Sequence, residues 1–472
     1  MKKKIITLSA IAAFATTSFA ATDVENRLSE MEKKISKLEK KLKKSNKKLN
    51  EVKAHDASDN IKWDVDFRTA VDSIHYEHAS GKKSSNSDLL TNRLWLGMGF
   101  APSDNVLFKG KLSYNKVYGQ TVNKPENNFS TFDWVTNENA NDNTIKVKEA
   151  YWLYKNDTFF DTDVPWTLSV GRRPSTDGLG INMREGMKDN SPLSHTVNVE
   201  FDGLSSRFNL DKLTGIEGMW WKLCTGRGLT NATPRFDNDT AYAEDTTQTE
   251  DMDMYGFIFV PWDNGQYSVH TNYAKAVNMI GFTDNDLSDG KISDNSFSNF
   301  GNLELLTAMF KAEGLGDEIS DYLDDTIFFA SWAQSKTDPK NNMNMLGSNE
   351  SQTGNSYWVG LNLPCLFSDD GRIGIEWNKG SKYWRSMTYG EDTMAGSKIA
   401  ARGTAWEVYY DKPLTESLKL NLRYTHIKYD YTGSNAFFGA DGRPMTMAEA
   451  QEVGQDPVEK ATDLRLSVSY RF

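Results

Sequence analysis

The chain has 472 residues, a formal net charge of −11 at pH 7 and 38% hydrophobic residues. Its mean hydropathy of −0.61 is too low for a protein that crosses a membrane with helices. The acidic balance also argues against nucleic acid as a partner, because phosphate backbones are bound by basic surfaces. A soluble chain of this length would form about three domains. The pattern of its segments is therefore needed to decide between a soluble protein and a membrane barrel.

Residues 1–20 predict a cleaved signal peptide. Lys2, Lys3 and Lys4 form a basic start, Ile5 to Phe19 is apolar, and Ser18 and Ala20 are small residues before a cut. After Ala20 no run reaches the roughly 18 apolar residues that a spanning helix needs. We therefore expect an exported chain without a helical anchor.

Residues 21–54 predict a helical coiled coil that lies in the periplasm. Apolar residues recur in steps of four and three, the spacing of a heptad seam; the seam comprises Leu28, Met31, Ile35, Leu38, Leu42 and Leu49. Such a seam needs a partner helix, and both a dimer and a trimer fit it. A solvated single helix is the alternative. Because the segment is basic, contact with anionic cell-wall polymer such as peptidoglycan is a further hypothesis.

Residues 55–472 predict an all-β membrane domain, an antiparallel up-and-down barrel of about sixteen strands. Its basis is a series of segments in which apolar and polar residues alternate with period two. The segments are Ile61 to Val71, Leu89 to Phe100, Val106 to Tyr118, Thr144 to Tyr154, Trp166 to Arg172, Val197 to Leu210, Gly215 to Cys224, Met252 to Val260, Gln266 to Val277, Phe300 to Phe310, Thr326 to Gln334, Thr353 to Leu363, Gly371 to Asn378, Ile399 to Tyr410, Ser417 to Tyr429 and Thr462 to Phe472.

The gaps between these segments alternate between long and short along the whole chain. Short turns at one end of a barrel and long loops at the other are typical of outer-membrane barrels, whose short turns face the periplasm. Aromatic side chains at the strand ends would form the interfacial belts. The residues expected there are Trp63, Phe67, Phe100, Trp166, Trp406 and Tyr410.

The last strand, Asp463 to Phe472, indicates which face is apolar. Its apolar residues alternate with Asp463, Arg465, Ser467, Ser469 and Arg471. It resembles the terminal recognition strand of bacterial outer-membrane barrels, which ends in Phe after alternating apolar residues. The resemblance implies a Gram-negative outer membrane, contact with its lipid and folding by the barrel-assembly machinery. The assembly signal would be Leu466, Val468, Tyr470 and Phe472.

If the strands are phased in this way, the wet inner face is mixed to basic, which favours anions over cations. The predicted pore wall consists of Asp64, Asp66, Arg68, Arg93, Lys109, Lys111, Arg372, Glu376, Lys419, Arg423, Arg465 and Arg471. The excess acid lies in two loops, Asp237 to Asp253 and Asp284 to Asp294. Carboxylate-rich loops can hold Ca²⁺ or Mg²⁺, but these have no fixed ligand spacing, so solvated loops are the simpler interpretation. No cofactor or metal site is predicted.

The stretch Gly171 to Gly186, GRRPSTDGLGINMREG, lies in a long gap and is rich in both glycine and charge. The chain resembles sixteen-stranded trimeric porins in strand count and loop alternation. In those proteins the third long loop folds into the barrel and narrows the pore. That resemblance implies a homotrimer for passive diffusion, with a constriction loop at 172–196 in which Arg172, Arg173, Asp177, Arg184 and Glu185 select solutes. An ordinary loop with internal salt bridges is the alternative.

Three stretches are also similar to a Gram-negative outer-membrane barrel family catalogued as a domain of unknown function. They are Gly171 to Gly186, Leu90 to Leu96 (LTNRLWL) and Tyr114 to Gly119 (YNKVYG). The resemblance supports the location and the fold and implies no substrate. A cell-wall tether or adhesin, with the coiled coil and acidic loops as binding surfaces, therefore remains open beside a porin. A barrel that encloses an electron-carrying partner is a third hypothesis.

An enzyme is not predicted. The chain has six histidines, and a barrel hydrolase needs one of them placed as a base. Ser194 and His195 are adjacent, so their side chains would point to opposite faces of a strand. Cys224 and Cys365 are expected to lie too far apart to form a disulfide.

Overall fold

The computed structural model describes residues 61–119, 144–190, 192–234, 243–245, 250–281, 298–316, 319–341, 343–388, 391, 393–435 and 442–472. The chain divides into two units, Met1–Asn60 and Ile61–Phe472. All described residues belong to the second unit. The predicted signal peptide and coiled coil, with its seam, lie outside the described residues.

Sixteen antiparallel strands form one closed barrel in which β1 pairs with β18. The barrel strands are β1 (Lys62–His78), β2 (Lys83–Phe100), β3 (Val106–Val117), β4 (Ile145–Asn156), β5 (Trp166–Arg173), β6 (Phe201–Asn209), β7 (Trp220–Leu229), β10 (Met252–Asp263), β11 (Tyr267–Gly281), β12 (Ser298–Glu313), β13 (Ile327–Pro339), β14 (Thr353–Pro364), β15 (Arg372–Gly380), β16 (Gly403–Pro413), β17 (Leu418–Tyr429) and β18 (Val458–Arg471). The short strands β8 (Ala232–Pro234) and β9 (Ala243–Asp245) pair only with each other. The predicted strand number and barrel class are confirmed.

Four short helices lie in the connections: α1 (Ile181–Glu185), α2 (Asp211–Thr214), α3 (Asp321–Asp324) and α4 (Met447–Glu452). Within the part of the chain that the structure describes, no helix has the length and apolar character needed to cross a membrane. Neighbouring strands follow one another in sequence around the ring, so the connections alternate between two ends of the barrel. We call the end where β1 begins and β18 finishes the terminus end, and the opposite one the loop end.

The outer face of the barrel is apolar and the inner face is polar. On β18, Leu464, Leu466, Val468 and Tyr470 are 38 to 47% exposed, whereas Asp463, Arg465, Ser467 and Ser469 are buried inside. Phe472 closes the ring through two backbone hydrogen bonds of 3.0 Å to Val65 on β1. A barrel with an apolar outside and polar inside is suited to lipid, where no water satisfies exposed polar groups.

Aromatic side chains form rows near both ends of the barrel. At the terminus end Tyr154, Trp166, Phe208 and Trp221 succeed one another across four strands, with ring centroids 5.5 to 6.4 Å apart. Near the loop end Trp377 and Trp406 lie 6.3 Å apart. Such rows are typical of the two interfaces of a membrane. Of the residues predicted for these belts, Trp63 and Trp406 are about half exposed and Phe67 more than a third.

Several predicted boundaries were wrong, including the start of the segment Ile399 to Tyr410, since β16 begins at Gly403. The expected long loop after the first strand is a tight hairpin, because β1 extends to His78 and β2 already begins at Lys83. The prediction missed this extension since residues 83–88 are polar in both phases and exposed. Val197 to Glu200 belong to a buried loop and Gly215 to Met219 to a turn, although both were assigned to strands. The strict alternation of gap lengths therefore fails at the first hairpin.

The outward phase of β17 gives a direct test of membrane orientation. Leu422, at mid-strand, is 42% exposed on the outer face. Leu422→Arg is expected to destabilise the barrel folded in lipid vesicles by about 2–4 kcal/mol, because it places a charge near the bilayer midplane. Leu418→Arg, on the same face at the strand end, is expected to cost about 0–1 kcal/mol. Equal and small effects in a urea titration of both variants would contradict this orientation.

Candidate functional site

The loop between β5 and β6, residues 174–200, runs through the lumen of the barrel. Most of its residues are buried, including Leu179, Ile181, Leu193 and Val197. Leu179, Ile181 and Leu193 pack against Met309, Phe329 and Trp358 on the inner faces of β12, β13 and β14. Burial of apolar surface at about 25 cal/mol per Å² therefore holds this segment inside. We call residues 174–200 the lumen loop.

Glycine permits the closest approach between the lumen loop and the wall. Gly180 has φ 106°, and a Cβ at this position would lie 2.3 Å from the ring of Trp358. Any other residue would meet both a strained backbone and a steric clash. The glycine content that marked this stretch in the sequence is thus explained by packing against β14.

The short helix α1 ends at Glu185, and the carboxylate of Glu185 lies at the centre of a ring of arginines. Its oxygens are 3.7 to 3.9 Å from guanidinium nitrogens of Arg68, Arg93, Arg423 and Arg471. These side chains come from β1, β2, β17 and β18, on the two sides of the seam where β18 pairs with β1. Four strands are therefore linked to one residue of the loop. We call this group the arginine ring.

The backbone at the end of α1 is also bound by the wall. The carbonyl oxygen of Glu185 accepts hydrogen bonds from Lys419 Nζ at 3.0 Å and from Arg471 Nη1 at 2.8 Å. Asn421 Nδ2 donates to the carbonyl oxygen of Arg184 at 3.3 Å. Cations at a helix C-terminus complement its free carbonyl groups, so the charge pattern fixes both the side chain and the backbone of the loop tip.

Arg184 forms a second ionic group with residues from another inward loop. Its guanidinium lies 3.1 Å from Glu391 and 3.5 Å from Glu407 on β16. Burial alone would lower the pKa of Arg184, but the carboxylates of Glu407 and Glu391 raise it above its ordinary value. Lys398 completes the group through contacts with Glu376, at 2.6 Å, and with Glu407.

Residues 381–402, between β15 and β16, are the second inward loop. Trp384, Met387 and Ile399 are fully or almost fully buried. The two loops pair in parallel: Asn198 donates to the Met387 carbonyl, and Met387 donates to the Thr196 carbonyl, both at 2.8 Å. The lumen is therefore occupied by two loops that are hydrogen-bonded to each other as well as to the wall.

The root of the lumen loop is fixed to β4. Lys148 Nζ lies 2.9 Å from Glu200 Oε1 and 2.7 Å from Thr176 Oγ1. Asp177 is 3.8 Å from the same ammonium. Lys148 and Glu200 are both almost completely buried, and removal of one partner of a buried pair commonly costs about 3–5 kcal/mol.

Carboxylates lie beside many of the basic side chains in the lumen, whereas the predicted wall was mostly basic. The predicted wall residues Asp66, Arg68, Arg93, Lys111, Glu376, Lys419, Arg423 and Arg465 take part in these interior contacts. Asp64 and Lys109 share their inward phase nearer the terminus end, and Arg372 binds Asn362 and backbone carbonyls. Sequence reasoning missed the carboxylates of Asp72, Glu200, Glu391 and Glu407, which lie beside arginines. It also missed the buried cations Lys148 and Lys398, which pair with Glu200, Glu376 and Glu407.

The five predicted constriction residues do not form one group. Arg184 and Glu185 lie at the loop tip, whereas Asp177 lies at its root beside Lys148. Arg172 and Arg173 belong to β5. Arg172 is paired in register with Asp202, which is on the same outer face as the exposed Leu204, and their side chains are 3.4 Å apart. Arg172 also lies 3.8 Å from Glu200, so it contacts the root of the lumen loop and not its tip.

His195 is a structural residue in the lumen loop. Its Nδ1 lies 2.7 Å from Ser331 Oγ and its Nε2 2.9 Å from Ser356 Oγ. Its ring meets Trp358 and Trp384 edge to face, with centroids 5.6 Å apart in each case. Burial lowers the pKa of His195 to about 3. The imidazole is thus neutral and enclosed, which leaves no room for a substrate at Ser194 and His195.

The remaining predicted features are the two cysteines and the two acidic loops. Cys224 and Cys365 are free thiols, as expected. Asp284 to Asp294 and much of Asp237 to Asp253 lie outside the described residues. In the rest of the chain, where side chains are placed, no group of three or more His, Cys, Asp or Glu is arranged to hold a metal ion.

A closed sixteen-stranded barrel with an apolar exterior and a charged interior defines the class of this protein as a porin-like β-barrel. Residues 83–472 match a family described as "Protein of unknown function (DUF3373)", and the chain belongs to that family. A comparison with curated protein sequences found no match.

Solved structures with a similar outline include an anion-selective porin from Comamonas acidovorans, at 11% identity and a TM-score of 0.47, over 88% of this chain and 99% of that chain. OprB of Pseudomonas putida, determined at high pH, is 12% identical with a TM-score of 0.48, over 89% and 96%. Salmonella typhi OmpF in complex with daunomycin is 10% identical with a TM-score of 0.45, over 87% and 98%. These likenesses concern the barrel outline alone.

The buried His195 predicts a pH-dependent stability. Its pKa is about 3 in the folded chain against an ordinary 6.5, so the unfolded chain binds the proton first as the pH falls. The stabilisation is complete above about pH 6.5 and is lost progressively toward pH 3, at up to about 1.4 kcal/mol per pH unit. Urea midpoints from tryptophan fluorescence should fall more steeply with acid in the wild type than in His195→Gln. Parallel pH profiles would contradict the buried neutral imidazole.

Proposed function

We propose that this chain is an outer-membrane channel that conducts ions and small hydrophilic solutes through a lumen narrowed by two inward loops. The observation that supports this best is the inverted pattern of the wall, with apolar residues outside and paired charges inside. Polar linings of this kind suit water and ions.

The route is narrow in the described state. Near the terminus end, Lys111, Lys419 and Arg471 have 20 to 28% of their side chains exposed. One layer further in, Arg93, Arg423 and Glu407 are at most 2% exposed. We therefore propose a channel of low conductance whose size is set by the arginine ring and the loop tip, rather than a wide general diffusion pore.

The proposed selectivity depends on Glu185. Its single carboxylate is shared by the four guanidinium groups of the arginine ring. Loss of that charge would leave the ring in excess, and rings of arginine favour anions. The channel would then pass from balanced to anion-selective by one substitution.

The wider setting is proposed on the sequence. The last strand, with Leu466, Val468, Tyr470 and Phe472 facing outward or at its end, supports folding by the barrel-assembly machinery into the outer membrane. The predicted signal peptide supports export, and the predicted coiled coil in the periplasm supports an oligomer. We propose a homotrimer, whose mass in detergent can be measured by light scattering.

Planar-bilayer recording tests the channel. Wild-type protein should give small single-channel steps. Arg184→Ala combined with Glu185→Ala removes both anchors of the loop tip and is expected to raise the conductance by about twofold or more, since pore size limits flow. Glu185→Gln alone should shift the reversal potential toward anions. Lys212→Ala, at an exposed turn pair with Asp163, is the matched control and should change neither value.

A channel would be contradicted if neither the wild type nor the double variant conducted current. Folding of both barrels would first be shown by their compact migration on a gel in SDS without heating. The occupied lumen would then favour a structural tether, in which the loops serve as a plug and the coiled coil as the binding element.

A further inference from the structure

A second feature of the lumen lies apart from the arginine ring. Between the root of the lumen loop and the inner faces of β5, β6, β7, β10 and β11 there is a cavity that is open on one side. Gly203, Gly226, Gly256 and Ala274 contribute little or no side chain to this part of the wall. A concave, mostly apolar cavity with a few polar groups is typical of sites for small organic molecules.

The lining of this cavity combines apolar surface with basic groups. Val197, Phe201, Met254 and Ile258 supply most of the apolar surface. Arg173 and Lys222 supply positive charge, and among the described residues that line the cavity none is acidic. An apolar cavity with two cations suits a ligand with an apolar body and a negative group.

Arg173 provides an independent observation. Its guanidinium carbon lies 4.0 Å from the ring centroid of Tyr151. Its Nε and Nη1 atoms are buried and have no hydrogen-bond partner among the described residues. A buried donor without a partner costs about 1–3 kcal/mol, and more when it is charged. An anionic oxygen in the cavity would remove that cost.

Arg207 continues the basic face toward the terminus end. It is the register partner of Lys222, and its guanidinium carbon lies 4.2 Å from the ring centroid of Trp220. The inner wall thus presents Arg207, Lys222 and Arg173 on three adjacent strands. Cations in a cleft with low-dielectric walls concentrate anions, so these residues would guide a negative ligand to the cavity.

We infer that this cavity binds an amphipathic organic anion, such as a monocarboxylate with an aromatic or short aliphatic body. This inference deepens the proposed function. It rests on that function only in treating the cavity as a binding site on the path that solutes take through the channel. Binding itself needs only the geometry of Arg173, Lys222 and the apolar wall.

The probe is radiolabelled 4-phenylbutyrate, with the neutral 4-phenylbutyramide as its matched analogue. Equilibrium dialysis against full-length protein in lipid nanodiscs measures binding, and empty nanodiscs give the background. Saturable binding of one acid per chain is expected, with the amide about tenfold weaker or more, because a charge-assisted hydrogen bond is lost. Equal affinity for acid and amide, or binding no greater than in empty nanodiscs, would overturn the inference.

Two variants locate the site. Arg173→Gln should weaken binding of the acid by about tenfold, and Ala274→Phe should abolish it by filling the cavity. Arg172→Gln is the matched control, because the adjacent Arg172 pairs with Asp202 and Glu200 and does not line the cavity, and it should bind like the wild type. Full affinity in folded Arg173→Gln protein would overturn the inference even if Ala274→Phe fails to fold.

Bilayer recording on the same preparations separates this inference from the proposed function. Binding by a silent protein would leave the cavity assignment standing and contradict the channel. Conductance without binding of the acid would support the channel and overturn the assignment.

Discussion

The closed sheet imposes the constraint on which the rest of the structure depends. Since every strand edge is paired, backbone polar groups are satisfied within the wall, and the outer face is free to be apolar. Leu422 and Leu466 face outward while Arg423 and Arg465, their immediate neighbours, face inward. Charged residues placed inside by this alternation must then find partners or water. Closure therefore leads directly to a lumen with concentrated charge.

The two inward loops supply charged side chains that form ion pairs inside the barrel. Glu185 neutralises arginines at the seam between β18 and β1, and Glu391 meets Arg184 at the junction of the two loops. Buried pairs of this kind add little net stability but are costly to break, so they specify one loop position rather than strengthen the barrel. Apolar contacts such as Leu179 and Ile181 against Trp358 supply the stabilisation.

Much of the barrel could be predicted from the sequence, because period-two patterning determines both the strands and the face that each residue occupies. The inward phase of Arg93, Arg423 and Arg465 was predicted in this way. Several of their partners could not be, since Glu185 reaches Arg93 and Arg423 only because the lumen loop folds into the barrel, and Asp72 meets Arg465 only across the seam where β18 pairs with β1. The end of β5 at Arg173 could not be predicted either, because charge in a glycine-rich stretch does not show where the strand ends and the loop begins.

The burial of the lumen loop is the claim on which the channel size, the arginine ring and the cavity all depend. Hydrogen exchange with mass spectrometry on the protein in lipid tests it most directly. Amides of Thr196, Asn198 and Met387 are hydrogen-bonded between or within the inward loops, so peptides that contain them should exchange as slowly as those of β17. Exchange as fast as that of the exposed turn at residues 414–417 would contradict the account.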